Sequence, residues 1–326
     1  MRFRFLALLL LWLAVAIFSL GLGRYSLTPS ELMATLFYGS SDVANSVIYD
    51  IRLPRILLAS LCGGVLGLVG ISLQGVFKNP LVGPHIVGVS TAAAFGGALA
   101  ILFGLGGYGI TAAAFGFGVL ALFILYLIAT YTKGSDIFSL VLAGIVINGV
   151  FAALISLVQY LSDSEEVLPN IIYWLLGSFV GADASKLWLM VIITLPCGGA
   201  LVLMRYRLNL LSLSEQDLRT MGINATLLQG VILLLCTLLI AAQVSISGNI
   251  GWVGLVVPHI TRLIVGADHT RSVPASFVFG AIFMLVVDDV ARAVASTEIP
   301  LGILNALIGS PIFALLLKRS IGAKSA

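Results

Sequence analysis

Three arginines and two aspartates stand out in this 326-residue chain as charged groups placed beside or inside strongly apolar stretches. In Ile51-Arg52-Leu53-Pro54-Arg55, Pro54 suits the first turn of a helix, and a helix sets Arg52 and Arg55 close together on one face. Guanidinium forks hold carboxylates in bidentate fashion, so the pair could dock an acidic external partner. Pairing with Asp50 or with lipid headgroups is the alternative. In Val287-Asp288-Asp289-Val290-Ala291-Arg292, the aspartates precede Arg292 by four and three residues, the separations at which helical side chains meet. Ionisable groups within an apolar segment are costly unless paired. This triad therefore either satisfies itself or serves docking, gating or ion transport.

The other reactive side chains are scattered. His85, His259 and His269 form no His-Glu-x-x-His arrangement, and Cys62, Cys197 and Cys236 lie in apolar runs without a Cys-x-x-Cys. A turn-stabilising hydrogen bond suits His85 and His259, each of which follows a proline, and packing suits the thiols. The sequence thus predicts no catalytic set and no metal site of its own. It also lacks a Gly-x-x-x-x-Gly-Lys-Ser/Thr run, so any nucleotide must be handled by another chain. A formal charge of +3, with no basic cluster interleaved with aromatics, argues against nucleic acid as a partner.

The elements that position the arginines are membrane spans. Hydrophobic residues make up 60% of the chain and charged ones 10%, with a mean hydropathy of +1.14; soluble domains carry about 25% charged residues. Lipid offers the backbone no hydrogen-bond partners, so a crossing takes a helix of roughly 20 apolar residues. Ten spans are expected, at 5–22, 56–77, 86–105, 110–131, 137–161, 187–204, 225–244, 250–265, 273–295 and 301–317. The expected fold class is all-α, a polytopic membrane protein whose single transmembrane domain covers residues 1–326. The eighth span is short, which suits a tilted or partly buried helix. An eleventh apolar piece, 170–181, is too short to cross and reads as interfacial or re-entrant. The Ala14-Val15-Ala16 triplet invites a signal-peptide reading, but the apolar run continues through Phe18 and Leu20, favouring a retained span.

Arg2 and Arg4 before the first span, and Lys318, Arg319 and Lys324 after the last, place both termini in the cytoplasm by the positive-inside rule. Ten crossings then put twelve basic residues inside, Lys133 among them, and leave Arg24, Arg52, Arg55, Lys186 and Arg292 outside. In the second span Gly63, Gly67, Gly70 and Gln74 recur at helical spacing. Tight helix packing and a polar strip along a translocation path are both open for the glycines; Gln74 is the better path candidate, because an amide facing lipid lacks partners. The longest inner connection, 205–224, carries a helix of about two turns: Ser214 caps it, Glu215 and Asp217 favour its N-terminus, and Gly222 stops it after Met221. Leu218 and Met221 are expected on one face, against a cytoplasmic protein or the membrane surface.

Five segments, taken in order, resemble the permease subunits of iron-chelate and cobalamin ABC importers. They are Ile51-Arg52-Leu53-Pro54-Arg55; Gln74 with Lys78-Asn79-Pro80-Leu81-Val82-Gly83-Pro84; Leu142-Ala143-Gly144; Gly251-Trp252-Val253-Gly254-Leu255-Val256-Val257-Pro258-His259-Ile260-Thr261-Arg262; and Glu298-Ile299-Pro300-Leu301-Gly302. The resemblance implies the type II importer permease fold and a homodimer in the inner membrane, with a path on its two-fold axis. It also implies two cytoplasmic ATPase subunits that use ATP and Mg2+, and a periplasmic substrate-binding protein. By similarity, Arg52, Arg55 and Arg292 meet acidic residues of the binding protein, and Ser214 to Gly222 is the coupling helix on the ATPase. Where the cobalamin permease has small hydroxyl residues at its inner gate, this chain has Ile137 and Phe138 ahead of Ser139, so a different cargo is expected. Gly83-Pro84-His85 likewise departs from the more usual acidic residue and proline. The mechanism implied is ATP-driven alternating access for a metal chelate, haem, cobalamin or an oxyanion such as molybdate. A secondary transporter using Asp288 and Asp289 as ion sites is the rival.

Overall fold

The computed structural model describes residues 2–23, 25, 28–38, 42–131, 137–295 and 297–322. Arg24, Lys133 and Lys324, used in the charge argument, lie outside them. The chain runs through α1 (Arg2–Gly21), α2 (Pro29–Tyr38) and α3 (Asp42–Ser46), then a π-helical stretch (Val47–Arg52) that continues into α4 (Leu53–Val76). A 3-10 turn (Pro84–Val87) leads to α5 (Val89–Leu102), followed by α6 (Gly107–Tyr131), α7 (Ile137–Leu161), α8 (Val167–Leu175) and α9 (Ala184–Leu203). Two short helices, α10 (Arg205–Leu210) and α11 (Glu215–Thr220), precede α12 (Ala225–Ser247), α13 (Val253–Val265), α14 (His269–Ala293) and α15 (Leu301–Gly322).

All ten apolar stretches are helical, and seven helices are long and apolar enough to cross a membrane among the described residues. The third and eighth stretches are shorter than expected. At about 1.5 Å per residue, α5 and α13 reach roughly 20 Å, less than a hydrocarbon core of about 30 Å. Their missing turns are the 3-10 segment before α5 and an irregular run at 248–252 before α13. Non-helical backbone at membrane depth is tolerated where protein surrounds it. Here Val87, Val89, Ile250, Val253 and Val257 are all buried. The 170–181 piece is a short helix and turn, as its length requires. Its end docks on two neighbours: Leu176 O accepts from Gly302 N at 2.8 Å, and Ser178 N donates to Ser247 O at 2.9 Å.

The segment between the first two spans is more structured than its polar sequence suggests, since α2, α3 and the π stretch fill it. Capping sets several boundaries: Asp183, Asn224 and Asp268 side chains accept from Lys186 N, Leu227 N and Thr270 N at the starts of α9, α12 and α14.

The centre of the fold is the pair α4 and α14, which meet backbone to backbone. A Cβ on Gly63 would overlap the Gly280 carbonyl, one on Gly280 would overlap the Gly63 carbonyl, and one on Gly67 would overlap the Ser276 carbonyl. Ser276 Oγ donates to Gly67 O at 2.9 Å across the same seam. Gly70 meets the Gly254 carbonyl of α13 in the same way. The glycine face of the second span is therefore filled by neighbouring helices, which resolves its two readings in favour of packing.

Candidate functional site

The segments singled out in the sequence are packed tightly into the bundle, and two of them, around Pro84 and Gly254, meet directly. Gly254 packs on Pro84 and on the Leu66 carbonyl; Gly144 abuts the Ile86 carbonyl; and Gly302 abuts the Leu176 carbonyl. Asn148 Nδ2 donates to His85 O at 2.8 Å, and Thr91 Oγ1 donates to Asn148 Oδ1 at 2.6 Å, fastening α7 to the turn before α5. Among the described residues the two non-glycine positions with positive φ, Lys78 (φ 48°) and Trp252 (φ 69°), both lie in these segments. Such conformations are costly and persist where the surroundings over-determine them.

At one end of the bundle the C-terminus of α1, the start of α4, the last turns of α14 and the approach to α15 form a charge network. Arg55 grips Asp288 with Nε to Oδ2 at 3.0 Å and Nη2 to Oδ1 at 2.8 Å. The same guanidinium holds Glu298 through two further bonds of 2.9 and 2.8 Å. Arg292 pairs with Asp289 and brings its Nε to 3.2 Å from Asp288 Oδ2, without the alignment of a hydrogen bond. It also donates to Ser19 Oγ at 2.8 Å, and Ser19 Oγ donates to Asp289 Oδ1 at 2.6 Å. Arg52 donates to the carbonyls of Leu20 at 2.6 Å and Tyr25 at 2.5 Å. Arg55 and Arg292 thus pair with three carboxylates while backbone carbonyls hold Arg52, and Asp288 is fully buried among them.

This placement differs from the open cationic rim expected from sequence. Arg52, Arg55 and Arg292 are 4, 8 and 9% exposed, with their forks turned to acceptors of the same chain. The Asp288/Asp289/Arg292 triad pairs internally, as one of its two readings had it, but it also recruits Arg55, Glu298 and Ser19. Burying unpaired charge in an apolar bundle costs several kcal/mol, which drives each ion toward a counter-ion. Glu298 and Ser19 were missed as partners; Glu298 was marked only as part of a family-like segment, and Ser19 only by its position near a span end.

At the opposite end, Gln74 is not an open path residue. Its Nε2 donates to Val82 O at 3.1 Å, its Oε1 accepts from Arg262, and the side chain is buried. The amide closes the loop after α4 onto α13. Beside it a cavity of about 260 Å³ opens between Gln74, Lys78, Leu208, Arg262 and His269.

The 205–224 hairpin is helical as expected, though shorter: α11 spans Glu215–Thr220. Asp217 N donates to Ser214 Oγ at 3.2 Å, Ser214 Oγ donates to Asp217 Oδ2 at 2.6 Å, and Gly222 takes φ 71° after Met221. Leu218 and Met221 do not share a face. Leu218 is 2% exposed against the bundle, whereas Met221 is 56% exposed. Met221 has already left the helix as its C-cap, which turns its side chain away. The side chains of Glu215 and of the gate candidates Ile137 and Phe138 lie outside the described residues; Ser139 is half-buried in the first turn of α7.

Among the described residues no group of three His, Cys, Asp or Glu side chains could hold a metal ion. His259 Nδ1 lies 2.9 Å from Leu255 O, a bond within its own helix.

The fold and its two polar ends define a polytopic helical permease. A family model described as the FecCD transport family matches residues 9–319, and the chain belongs to that family. It is 44% identical over 319 residues to the molybdate import system permease protein MolB of Haemophilus influenzae, covering 96% of this chain and 94% of that one. It is 38% identical over 310 residues to the cobalamin import system permease protein BtuC of Halobacterium salinarum, covering 94% and 82%. A solved structure assigned to the metal-chelate type of ABC transporter, in an inward-facing conformation, superposes with a TM-score of 0.91 at 42% identity, covering 98% of this chain and all of the other. The protein is the permease subunit of an ABC importer and a multi-pass membrane protein.

Proposed function

We propose that this chain carries an oxyanion or metal chelate across the inner membrane by ATP-driven alternating access. It works as a homodimer, with two ATPase subunits seated on the 205–224 hairpin and a periplasmic binding protein at the arginine end. Both termini are cytoplasmic in this arrangement. Molybdate is the favoured cargo, because the relative at 44% identity over almost the whole chain is a molybdate permease. Ferric siderophore, haem and cobalamin are its competitors.

The observation that carries the reading is the family match over residues 9–319, joined to a capped, solvent-facing hairpin at one end of the bundle. A moving partner needs such a handle, and this chain has no nucleotide loop of its own. Docking at Arg52, Arg55 and Arg292 requires carboxylates of the binding protein to compete with Asp288, Asp289 and Glu298 for the same guanidinium forks. Use of Asp288 and Asp289 as ion sites is disfavoured, since arginines and Ser19 already occupy them.

The test is reconstitution in vesicles with the ATPase subunits, the binding protein and labelled molybdate. ATP-dependent accumulation is expected, with none from the permease alone. Uptake by the lone chain, or uptake abolished by collapsing an ion gradient and indifferent to ATP, would overturn the proposal.

A further inference from the structure

Asn209, near the end of α10, directs its amide at the first turn of α14. Its Nδ2 donates to Asp268 Oδ1 at 2.7 Å, and its Oδ1 accepts from His269 N at 2.9 Å. Asp268 is also the N-cap of α14, accepting from Thr270 N at 2.9 Å and from Thr270 Oγ1 at 2.8 Å. Asn209 thus ties the hairpin to the start of α14 through the Asp268 carboxylate, the His269 backbone amide and the His269 ring, whose Nδ1 lies 2.9 Å from Asn209 Oδ1. The Asn209 carbonyl accepts from Ser212 Oγ at 2.6 Å, and the next residue, Leu213, offers its carbonyl to Lys78 Nζ at 2.8 Å. The hairpin is therefore fastened to α14 by one contact and to the end of α4 by the other. Leu208, Leu211 and Leu218 bury its apolar side.

Those two helices are the pair that meets backbone to backbone through Gly63, Gly67 and Gly280. With no side-chain layer at these crossings, the seam has little that can yield, and close-packed interiors transmit strain. At the far end Arg55 of α4 and Asp288 of α14 close the pair with a buried, two-pronged ion pair.

We propose that Asn209 is a positioning residue that couples the hairpin to the α4–α14 pair, so that a displacement imposed on the hairpin moves both helices as one body and reaches the arginine network at the opposite end. This rests on the importer reading above. The two discrete states it requires are the outward- and inward-open packings of the bundle, biased at one end by the ATPase and at the other by the binding protein.

The test uses the full complex in vesicles, with molybdate as the probe, and measures ATP hydrolysed and molybdate accumulated in the same sample. Asn209→Ala is expected to lower uptake per ATP about tenfold. Asn209→Asp, which sets two carboxylates face to face, is expected to do the same. Combining Asn209→Asp with Asp268→Asn restores the donor and acceptor with reversed polarity and keeps a good helix cap; the wild-type ratio is expected to return. A purely structural role would change the yield of complex without changing the ratio in the complexes that form. An unchanged ratio in Asn209→Ala, or no recovery in the swapped pair, would overturn the proposal. If the single variants fail to assemble, the swapped pair decides: assembly with the wild-type ratio supports coupling, and failure to assemble or a low ratio refutes it. Wild-type vesicles that take up no molybdate would sink the cargo assignment before any variant is compared, and stimulation of hydrolysis by the binding protein then replaces uptake as the measure of coupling.

Discussion

Arg55 of α4 and Asp288 of α14 lie 233 residues apart in sequence and share three hydrogen bonds in the buried end of the bundle. That one contact turns two arginine-bearing segments, separate in the sequence, into a single network. It also places the arginines in competition: a guanidinium that holds Asp288 and Glu298 meets an external carboxylate only by loosening one of them.

Removing Arg55 leaves Asp288, which has no exposed surface, with Arg292 as its remaining ion-pair partner. Arg55→Ala is expected to destabilise the permease by about 3 kcal/mol, read as a lowered midpoint of thermal unfolding in detergent. Arg55→Lys keeps the charge but loses the fork, so it should recover only part of the loss. An unchanged midpoint together with weakened binding-protein association would assign Arg55 to docking instead of to internal closure.

The α4–α14 seam leaves no room for a side chain. Gly63→Ala and Gly280→Ala each point a methyl group at a facing carbonyl, and each is expected to cost about 2 kcal/mol by overpacking. Gly199→Ala, where nothing stands within 4 Å, should be neutral or slightly stabilising. Equal effects at all three positions would mean the seam is looser than it looks.

Leu218 and Met221 should separate cleanly in a mutant pair. Leu218→Ala removes a buried anchor and is expected to lower stability by about 2 kcal/mol, with whatever functional loss follows from that. Met221→Glu alters an exposed cap residue and should leave the unfolding midpoint alone while weakening association with the ATPase, measured by co-purification. The reverse pattern would mean that the hairpin turns its other face to the partner.

Asp268 supplies the pH dependence. The bond from Asn209, then those from Thr270, and more weakly Arg271 at 3.9 Å, hold its carboxyl at about 2 against an ordinary value near 3.8. A depressed carboxyl contributes stability that is present above its unfolded value and lost as pH falls through the folded one. The clasp is therefore intact at pH 5 and above, and weakens between about 4 and 2. Asn209→Ala should lower stability at pH 5 and above and shrink that acid loss, seen as a smaller fall in unfolding midpoint between about pH 5 and 2. An acid profile identical to wild type would remove Asn209 as the source of the shift.

Much of this architecture was legible from residue order. The apolar runs marked all ten helices because their length and composition answer to lipid, a solvent that acts on each segment by itself. Ser214 and Gly222 bracketed α11 because capping is local: a hydroxyl reaches an amide three residues on, and a glycine takes positive φ. The eighth run already stood out as short, but the irregular backbone ahead of α5 and α13 was invisible, since an apolar residue packed there looks the same in sequence as one in a helix. Asn209 carried no mark at all, being one amide among polar residues of an inner connection.

The pairing of groups was decided only by folding. Sequence alone determined that Asp288, Asp289 and Arg292 stand within reach of each other on one helix and that Arg55 begins another. Whether those charges face a partner outside or one another depends on how α4 crosses α14, and that crossing follows from glycines whose bare faces let two backbones touch. Sequence likewise dictated that lipid surrounds the chain and that a capped hairpin projects from it. The tertiary structure joined the hairpin to the buried ion pair at the other end, because only close packing brings residues far apart in the chain within bonding distance.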